Sequence, residues 1–138
     1  MLFRSFPTLV NNYVTNIPDW MLSADLLITK AGGLILSEGL AAGLPIILIN
    51  SLPGQEERNV RFILENHAGI LAGTPVELIP IINSWLSDDM SNLNIIKNNS
   101  CRLGHPSAAI SVSESLWQAA SSPAFEPLTH PEISGCLE

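Results

Sequence analysis

A glycine pair stands where a short strand is expected to meet a helix. Residues 25–29 are apolar enough for a buried strand, Gly32 and Gly33 follow it, and 34–42 is expected to be helical. Free backbone N–H groups at the start of such a helix can hold a phosphate, and glycines let the phosphate come close. The spacing therefore indicates a candidate phosphate-binding turn.

Two charged side chains flank this turn. Lys30 precedes the glycines and is a candidate further donor to a phosphate, and Glu38 lies about one turn into the helix. A carboxylate at that position can accept hydrogen bonds from two ribose hydroxyls. Strand, glycine pair and helix also occur together in ordinary tight turns. The pattern alone favours that structural explanation, with Glu38 as a surface acid and Lys30 simply solvated.

A second polar loop follows the next predicted strand. It contains Pro-Gly at 53–54 and then Gln55, Glu56 and Asn59, whose side chains suit the recognition of sugar hydroxyls. A solvated loop that caps a helix is the alternative. Two such loops after neighbouring strands are better evidence together, because parallel strands would bring them to one crevice.

The elements that position these loops alternate along the chain. Such alternation predicts an α/β fold with a parallel sheet and helices on its faces. Pro80 should kink or split the helix that contains it. The predicted strands are 9–14, 25–29, 44–49 and 69–72. The predicted helices are a short one that opens at 16–19, then 34–42 and 56–66, one that starts at Thr74, one from Ser87 toward Cys101, and 106–119.

Three motifs together resemble a known family. Thr-Lys-Ala-Gly-Gly-x-x-x-Ser-Glu at 29–38, Gly-Leu-Pro-Ile-Ile-Leu at 43–48 and Pro-Gly-Gln-Glu-x-x-Asn-Val at 53–60 are similar to the C-terminal lobe of glycosyltransferase family 28. Within it, the monogalactosyldiacylglycerol synthases and processive diacylglycerol glucosyltransferases resemble the chain most. The resemblance runs from about Val14 to Ala119.

The resemblance implies a Rossmann-like lobe of a GT-B glycosyltransferase that binds a UDP-hexose and transfers the hexose to a lipid such as diacylglycerol. It implies no cofactor and no tightly bound metal ion. The N-terminal lobe, with the acceptor site and the catalytic base, and the first strands of this lobe would lie outside the chain. The implied UDP site is Gly32, Gly33, Leu34, Ile35 and Glu38, with Lys30 as a further donor, and the implied sugar site is Gln55, Glu56 and Asn59.

Several positions depart from the family pattern. Ile35 stands where a Thr or Ser hydroxyl is usual, Pro80 interrupts a helix that is usually continuous, and Asn12 stands near an expected glycine. These departures keep a second hypothesis open, a non-catalytic truncated remnant or a module that binds a nucleotide or a protein. We expect residues 1–120 to form the partial donor-binding domain and 121–138 to be a disordered tail.

Composition restricts the partners. The net charge of −7 argues against nucleic acid, which prefers a basic face. Charged residues are only 14% of the 138, which suggests that another domain, a partner or a membrane covers part of the surface. The two cysteines and three histidines lack metal-ligand spacing. Without a predicted membrane span or signal peptide, we expect a cytoplasmic protein with at most peripheral membrane contact. A separate protein that carries the N-terminal lobe is a further expected partner.

Overall fold

The structure is a computed structural model that describes residues 8–49, 54, 56–87 and 90–122. The chain divides into two compact units, of which the first ends at Pro106 and the second begins at Ser107. The predicted tail lies outside the described residues beyond Ser122.

The first unit contains a three-stranded parallel sheet in the order β1-β2-β3. The strands are β1 (Leu27–Thr29), β2 (Ile46–Ile49) and β3 (Gly69–Ala72). A helix follows each of β1 and β2 and returns the chain to the start of the next strand, as parallel pairing requires. The predicted α/β fold with a parallel sheet is confirmed.

The central strand is buried on both faces. Ile46 and Leu48 pack with α2 and α3, whereas Ile47, between them in sequence, packs with α4 and α5. All three side chains are fully buried. This arrangement explains the uninterrupted apolar sequence of β2, because a strand covered by helices on both sides has no polar face.

Six helices surround or follow the sheet. Their bounds lie close to the predicted ones, and the last helix is shifted by two residues toward the C-terminus. The helices are α1 (Ile17–Ser23), α2 (Gly33–Ala41), α3 (Glu57–Glu65), α4 (Pro75–Leu86), α5 (Ser91–Leu103) and α6 (Ala108–Ser121).

The predicted strand at 9–14 does not form, since these residues have irregular backbone. A strand needs a hydrogen-bonded neighbour, and no described segment pairs with this one. Leu9, Val10 and Tyr13 are all strongly exposed, so burial does not hold this segment extended either.

Pro80 does not split its helix, which contradicts one of the two predicted outcomes. The helix α4 runs from Pro75 to Leu86 with Pro80 inside it. Leu78, Ile81, Ile82 and Trp85 pack into the core on the α4–α5 side of the sheet. Burial of this apolar face offsets the hydrogen bond that the proline removes.

The helices α2 and α3, which pack on the sheet, end in the same way. Leu44 N–H donates to Gly39 O and Gly43 N–H to Leu40 O, and Gly43 has a φ of +71°. At the end of α3 the equivalent bonds run from Ala68 to Ile63 and from His67 to Leu64, with a φ of +52° at His67. This is the Schellman geometry, which glycine adopts without strain and histidine does not.

Candidate functional site

The N-terminus of α2 lies directly after β1, at the carboxyl edge of the sheet. Gly32 is the N-cap residue, and the first helical hydrogen bond runs from Leu36 N–H to Gly32 O at 3.1 Å. The N–H groups of Gly33, Leu34 and Ile35 come before that bond and so have no partner within the helix. Gly33 is exposed, and no acidic side chain lies in the first turn. This helix end can therefore hold an anion.

Asn59 connects the two predicted loops. Its Nδ2 donates a 2.8 Å hydrogen bond to the carbonyl oxygen of Ala31, which is fully buried just before the glycine pair. Asn59 lies in the first turn of α3, and Ala31 lies in the segment that leads into α2. The bond brings the starts of both helices together at one edge of the sheet.

Glu38 lies beside a cavity between α1 and α2. The cavity has a volume of about 290 Å³, and its walls are otherwise mostly apolar. Glu38 itself is exposed. A carboxylate at the margin of an apolar cavity suits a ligand that combines hydroxyl groups with a flat apolar ring. The described residues that line this cavity are Pro18, Met21, Leu22, Glu38, Ala41, Ala42 and Pro106.

Ile35 has a structural role in addition to its predicted place in the UDP site. Its side chain is half-buried and packs against the core formed by α2, α3 and β2. A threonine would put a hydroxyl into this apolar contact. Isoleucine at this position therefore adds apolar packing where the family pattern has a hydroxyl. The backbone N–H of Ile35 is the same with either side chain.

The structure says less about the other three predicted site residues. Gln55 lies outside the described residues. Glu56 is half-buried at the N-cap position of α3, and Lys30 is exposed between β1 and α2. The roles of these three side chains in binding stay predictions.

Glu57 was not predicted to belong to the site. Its Oε1 accepts a 3.1 Å hydrogen bond from Gly54 N–H, so it ties the second loop to the first turn of α3. Gly54 has a φ of +89°, a backbone conformation that favours glycine. An acid at the first position of a helix, three residues after Pro-Gly, was the available signal in the sequence.

Within the described ranges, no group of three or more His, Cys, Asp or Glu side chains is arranged to hold a metal ion. The helices in those ranges are also too short or too polar to cross a membrane.

A parallel sheet with a glycine-capped helix start and a second tied loop at its carboxyl edge defines a Rossmann-like α/β domain. The chain has homologues among lipid glycosyltransferases, which confirms the resemblance in its motifs. It is 36% identical over 106 residues to monogalactosyldiacylglycerol synthase 3 of Arabidopsis thaliana, a match that covers 77% of this chain. It is 40% identical over 84 residues to a processive diacylglycerol beta-glucosyltransferase of Staphylococcus haemolyticus, covering 60% of this chain.

The chain spans about a quarter of the length of these relatives. The matches cover 23% of the Arabidopsis synthase and 22% of the staphylococcal glucosyltransferase. A probable monogalactosyldiacylglycerol synthase of Nicotiana tabacum matches 88% of this chain at 32% identity, again over 23% of its own length. No family model matches the chain. The chain is thus homologous to a fragment of these enzymes.

Proposed function

We propose that this chain is the donor-binding part of a glycosyltransferase that uses a UDP-hexose. The observation that carries the proposal is the glycine-capped start of α2 at the carboxyl end of β1, tied to α3 by Asn59. Gly32 and Gly33 leave room for a diphosphate, and the N–H groups of Gly33, Leu34 and Ile35 donate to it. Homology to lipid glycosyltransferases supports a sugar nucleotide as the ligand of this site.

The same geometry supports the leaving group of the reaction. When the bond between the hexose and the diphosphate breaks, negative charge collects on the UDP oxygens. The positive end of α2, with Lys30 as a further donor, stabilises that charge without any rearrangement. This charge stabilisation comes from the helix start and Lys30, without a tightly bound metal ion.

Glu38 is proposed to accept hydrogen bonds from the ribose hydroxyls. Its place beside the 290 Å³ cavity supports this role, since a nucleoside presents both hydroxyls and an apolar ring. Gln55, Glu56 and Asn59 are proposed to face the hexose. Asn59 Nδ2 has one proton engaged with Ala31, so its sugar contact would use its remaining groups.

The acceptor is proposed to be a lipid such as diacylglycerol, because the named relatives act on diacylglycerol. The acceptor site and the catalytic base belong to the part of the enzyme that these 138 residues do not contain. Contact with a membrane is then peripheral and is made through the acceptor.

The alternative is a non-catalytic remnant, or a module that binds a nucleotide or a protein without catalysing transfer. The apolar Ile35 in the proposed donor site favours it, because it lacks the hydroxyl usual at that position. The first hypothesis requires nucleotide binding and the remaining lobe, whereas the second requires neither.

Thermal unfolding of the purified chain with increasing UDP tests the donor site, with CMP as the control. Ligand at 100 times its Kd adds about 2.7 kcal/mol of stability to the state that binds it. We expect a saturable rise in the unfolding midpoint with UDP and none with CMP. A cooperative transition that UDP does not move would refute the proposed donor site.

A further inference from the structure

The first turn of α3 makes two side-chain hydrogen bonds to residues outside its own helix. Glu57, the first residue of α3, accepts a 3.1 Å bond from Gly54 N–H through Oε1. Gly54 lies two residues before the N-cap residue Glu56, so this bond satisfies no N–H group of the helix. Asn59, in the same turn, donates to the carbonyl oxygen of Ala31. One helical turn thus contacts both segments of the candidate site.

The bond between Gly54 and Glu57 spans the two residues predicted to contact the hexose. Gln55 and Glu56 lie between these partners in the sequence. A hydrogen bond between the flanking residues reduces the number of backbone conformations open to such a short segment. Gly54 has a φ of +89°, which a residue with a side chain rarely adopts. The bond therefore restrains the approach of the chain to α3.

This restraint is not explained by packing. Gly54 and Glu57 are both exposed, and an ideal Cβ on Gly54 meets no described atom within 4 Å. Glycine is favoured at position 54 by its backbone conformation and not by lack of space. An exposed hydrogen bond contributes little to stability, because water competes for both partners. Its main consequence is the ordering of the loop.

The start of α4 contains a comparable pair outside the candidate site. Glu77 Oε2 accepts a 2.9 Å bond from Gly73 N–H, and its Oε1 accepts one from the Thr74 hydroxyl. Gly73 and Thr74 directly precede α4, so these bonds remain within the start of that helix. Glu77 follows no loop that was predicted to contact a ligand, which makes it a matched control for Glu57.

We propose that Glu57 is a positioning residue for the transferred hexose, which it orders the second loop to receive by binding Gly54 N–H. The turn that receives the diphosphate is held separately, by Asn59. Glu57 therefore affects the affinity for a UDP-hexose and not the affinity for UDP, which has no sugar for the loop to contact. An ordered loop binds more tightly, because less conformational entropy is lost on binding. This inference rests on the proposed donor site.

The test measures the Kd of UDP, UDP-galactose and UDP-glucose by calorimetry with the full 138-residue chain. Glu57→Ala removes the acceptor of the bond, whereas Glu57→Gln keeps an acceptor oxygen and removes only the charge. Gly54→Ala retains Glu57 but disfavours the backbone conformation that presents the N–H. Glu77→Ala removes the comparable bond at α4. Thermal unfolding shows that each variant is folded.

We expect Glu57→Ala to leave the affinity for UDP within about twofold of the natural value. The affinity for the more tightly bound UDP-hexose should fall about threefold to tenfold, the range of one hydrogen bond. Glu57→Gln should retain both affinities. Gly54→Ala should show the same selective loss, and combining it with Glu57→Ala should add nothing, since both changes release the same contact. Glu77→Ala should change neither affinity.

Four results would each overturn the role of Glu57. They are equal losses for UDP and the UDP-hexose, no loss for the UDP-hexose, no rescue by Glu57→Gln, and a selective loss in Glu77→Ala. If any of these occurs in a chain that binds UDP, the donor site stands and only the positioning role fails. A natural chain that binds neither UDP nor a UDP-hexose would instead refute the donor site, and the positioning role with it.

Discussion

The side-chain amide of Asn59 donates a 2.8 Å hydrogen bond to the carbonyl oxygen of Ala31, 28 residues earlier in the chain. Ala31 is fully buried and immediately precedes the glycine pair. A residue that the sequence assigned to sugar binding therefore also positions the turn proposed to hold the diphosphate. Any contact of Asn59 with a ligand depends on this fixed orientation.

Replacing Asn59 should weaken both the fold and the nucleotide site. In Asn59→Ala the Ala31 carbonyl loses its partner in a partly buried place, which we expect to cost about 1–3 kcal/mol of unfolding free energy. UDP affinity should fall as well, because the turn is less well held. Denaturant unfolding and a UDP titration measure the two effects.

Asn66→Ala is the control for that experiment. Its Nδ2 donates to Phe62 O within the same helix in an exposed place, so its loss should change stability by no more than about 0.5 kcal/mol. Equal effects of the two substitutions would contradict the role given to Asn59.

Gly33→Asp should separate folding from nucleotide binding. An ideal Cβ on Gly33 meets no described atom closer than Asn59 Nδ2 at 3.8 Å, so a side chain fits. A carboxylate at the first position of α2 stabilises the helix by about 0.3–1 kcal/mol and repels a diphosphate. We expect an unfolding midpoint that is unchanged or raised, with UDP binding lost. The uncharged Gly33→Asn controls for size, and an aspartate variant that binds UDP as well as the asparagine variant would argue against the phosphate site.

Removing the Glu38 carboxylate should lower the affinity only for ligands that carry ribose hydroxyls. Hydrogen bonds to a charged group contribute about 1.5–3 kcal/mol, so Glu38→Ala is expected to weaken UDP binding about tenfold or more. Because Glu38 is exposed, stability should hardly change. Calorimetry with UDP and with 2′,3′-dideoxy-UDP gives a thermodynamic cycle. The dideoxy compound should bind the natural protein and the variant equally, and an equal loss for both nucleotides would place Glu38 elsewhere.

Reciprocal substitutions at the two Schellman ends should change stability in opposite directions. Gly43→Ala is expected to cost about 1–2 kcal/mol, because φ is +71° there. A Cβ would also stand 2.5 Å from Cys101 Sγ, so Cys101→Ala should recover part of the loss.

His67→Gly should instead stabilise the fold by roughly 0.5–1 kcal/mol by relieving strain at its positive φ. Chemical denaturation measures both, and a destabilised His67→Gly would show that the imidazole makes a compensating contact.

Local sequence signals predicted most of the fold. The helix α2 ends within one residue of the predicted 34–42, and the strand at Gly69–Ala72 has its predicted bounds. The helix predicted from Thr74 begins at Pro75, although the Thr74 side chain does not cap it. Its hydroxyl donates to Glu77 Oε1 at 2.9 Å, and no helix N–H bonds to it. Turn glycines and helix starts depend on residues nearby in the sequence, so they can be predicted from a single sequence.

Features that depend on distant residues were not predictable in the same way. The bond between Asn59 and Ala31 exists only once β1, β2 and their helices have packed. The absence of a strand at 9–14 and the continuous helix through Pro80 likewise depend on which neighbours are present. For the site, the motif correctly placed a helix start at a glycine pair. The contacts that Lys30, Gln55 and Glu56 make with a ligand remain predictions.

In the described part of the chain each outer strand of the sheet pairs only with β2, and the two free edges differ in charge, which affects how copies of the chain can self-associate. Because Glu57, Arg61 and Glu65 of α3 line the groove beside Leu71 of β3, strand-to-strand growth of the sheet in the described residues is open only at β1. Joining two copies through β1 uses up both open ends, so a concentrated preparation should stop at pairs and not elongate into fibres. The charges on α3 thus oppose elongation beyond pairs.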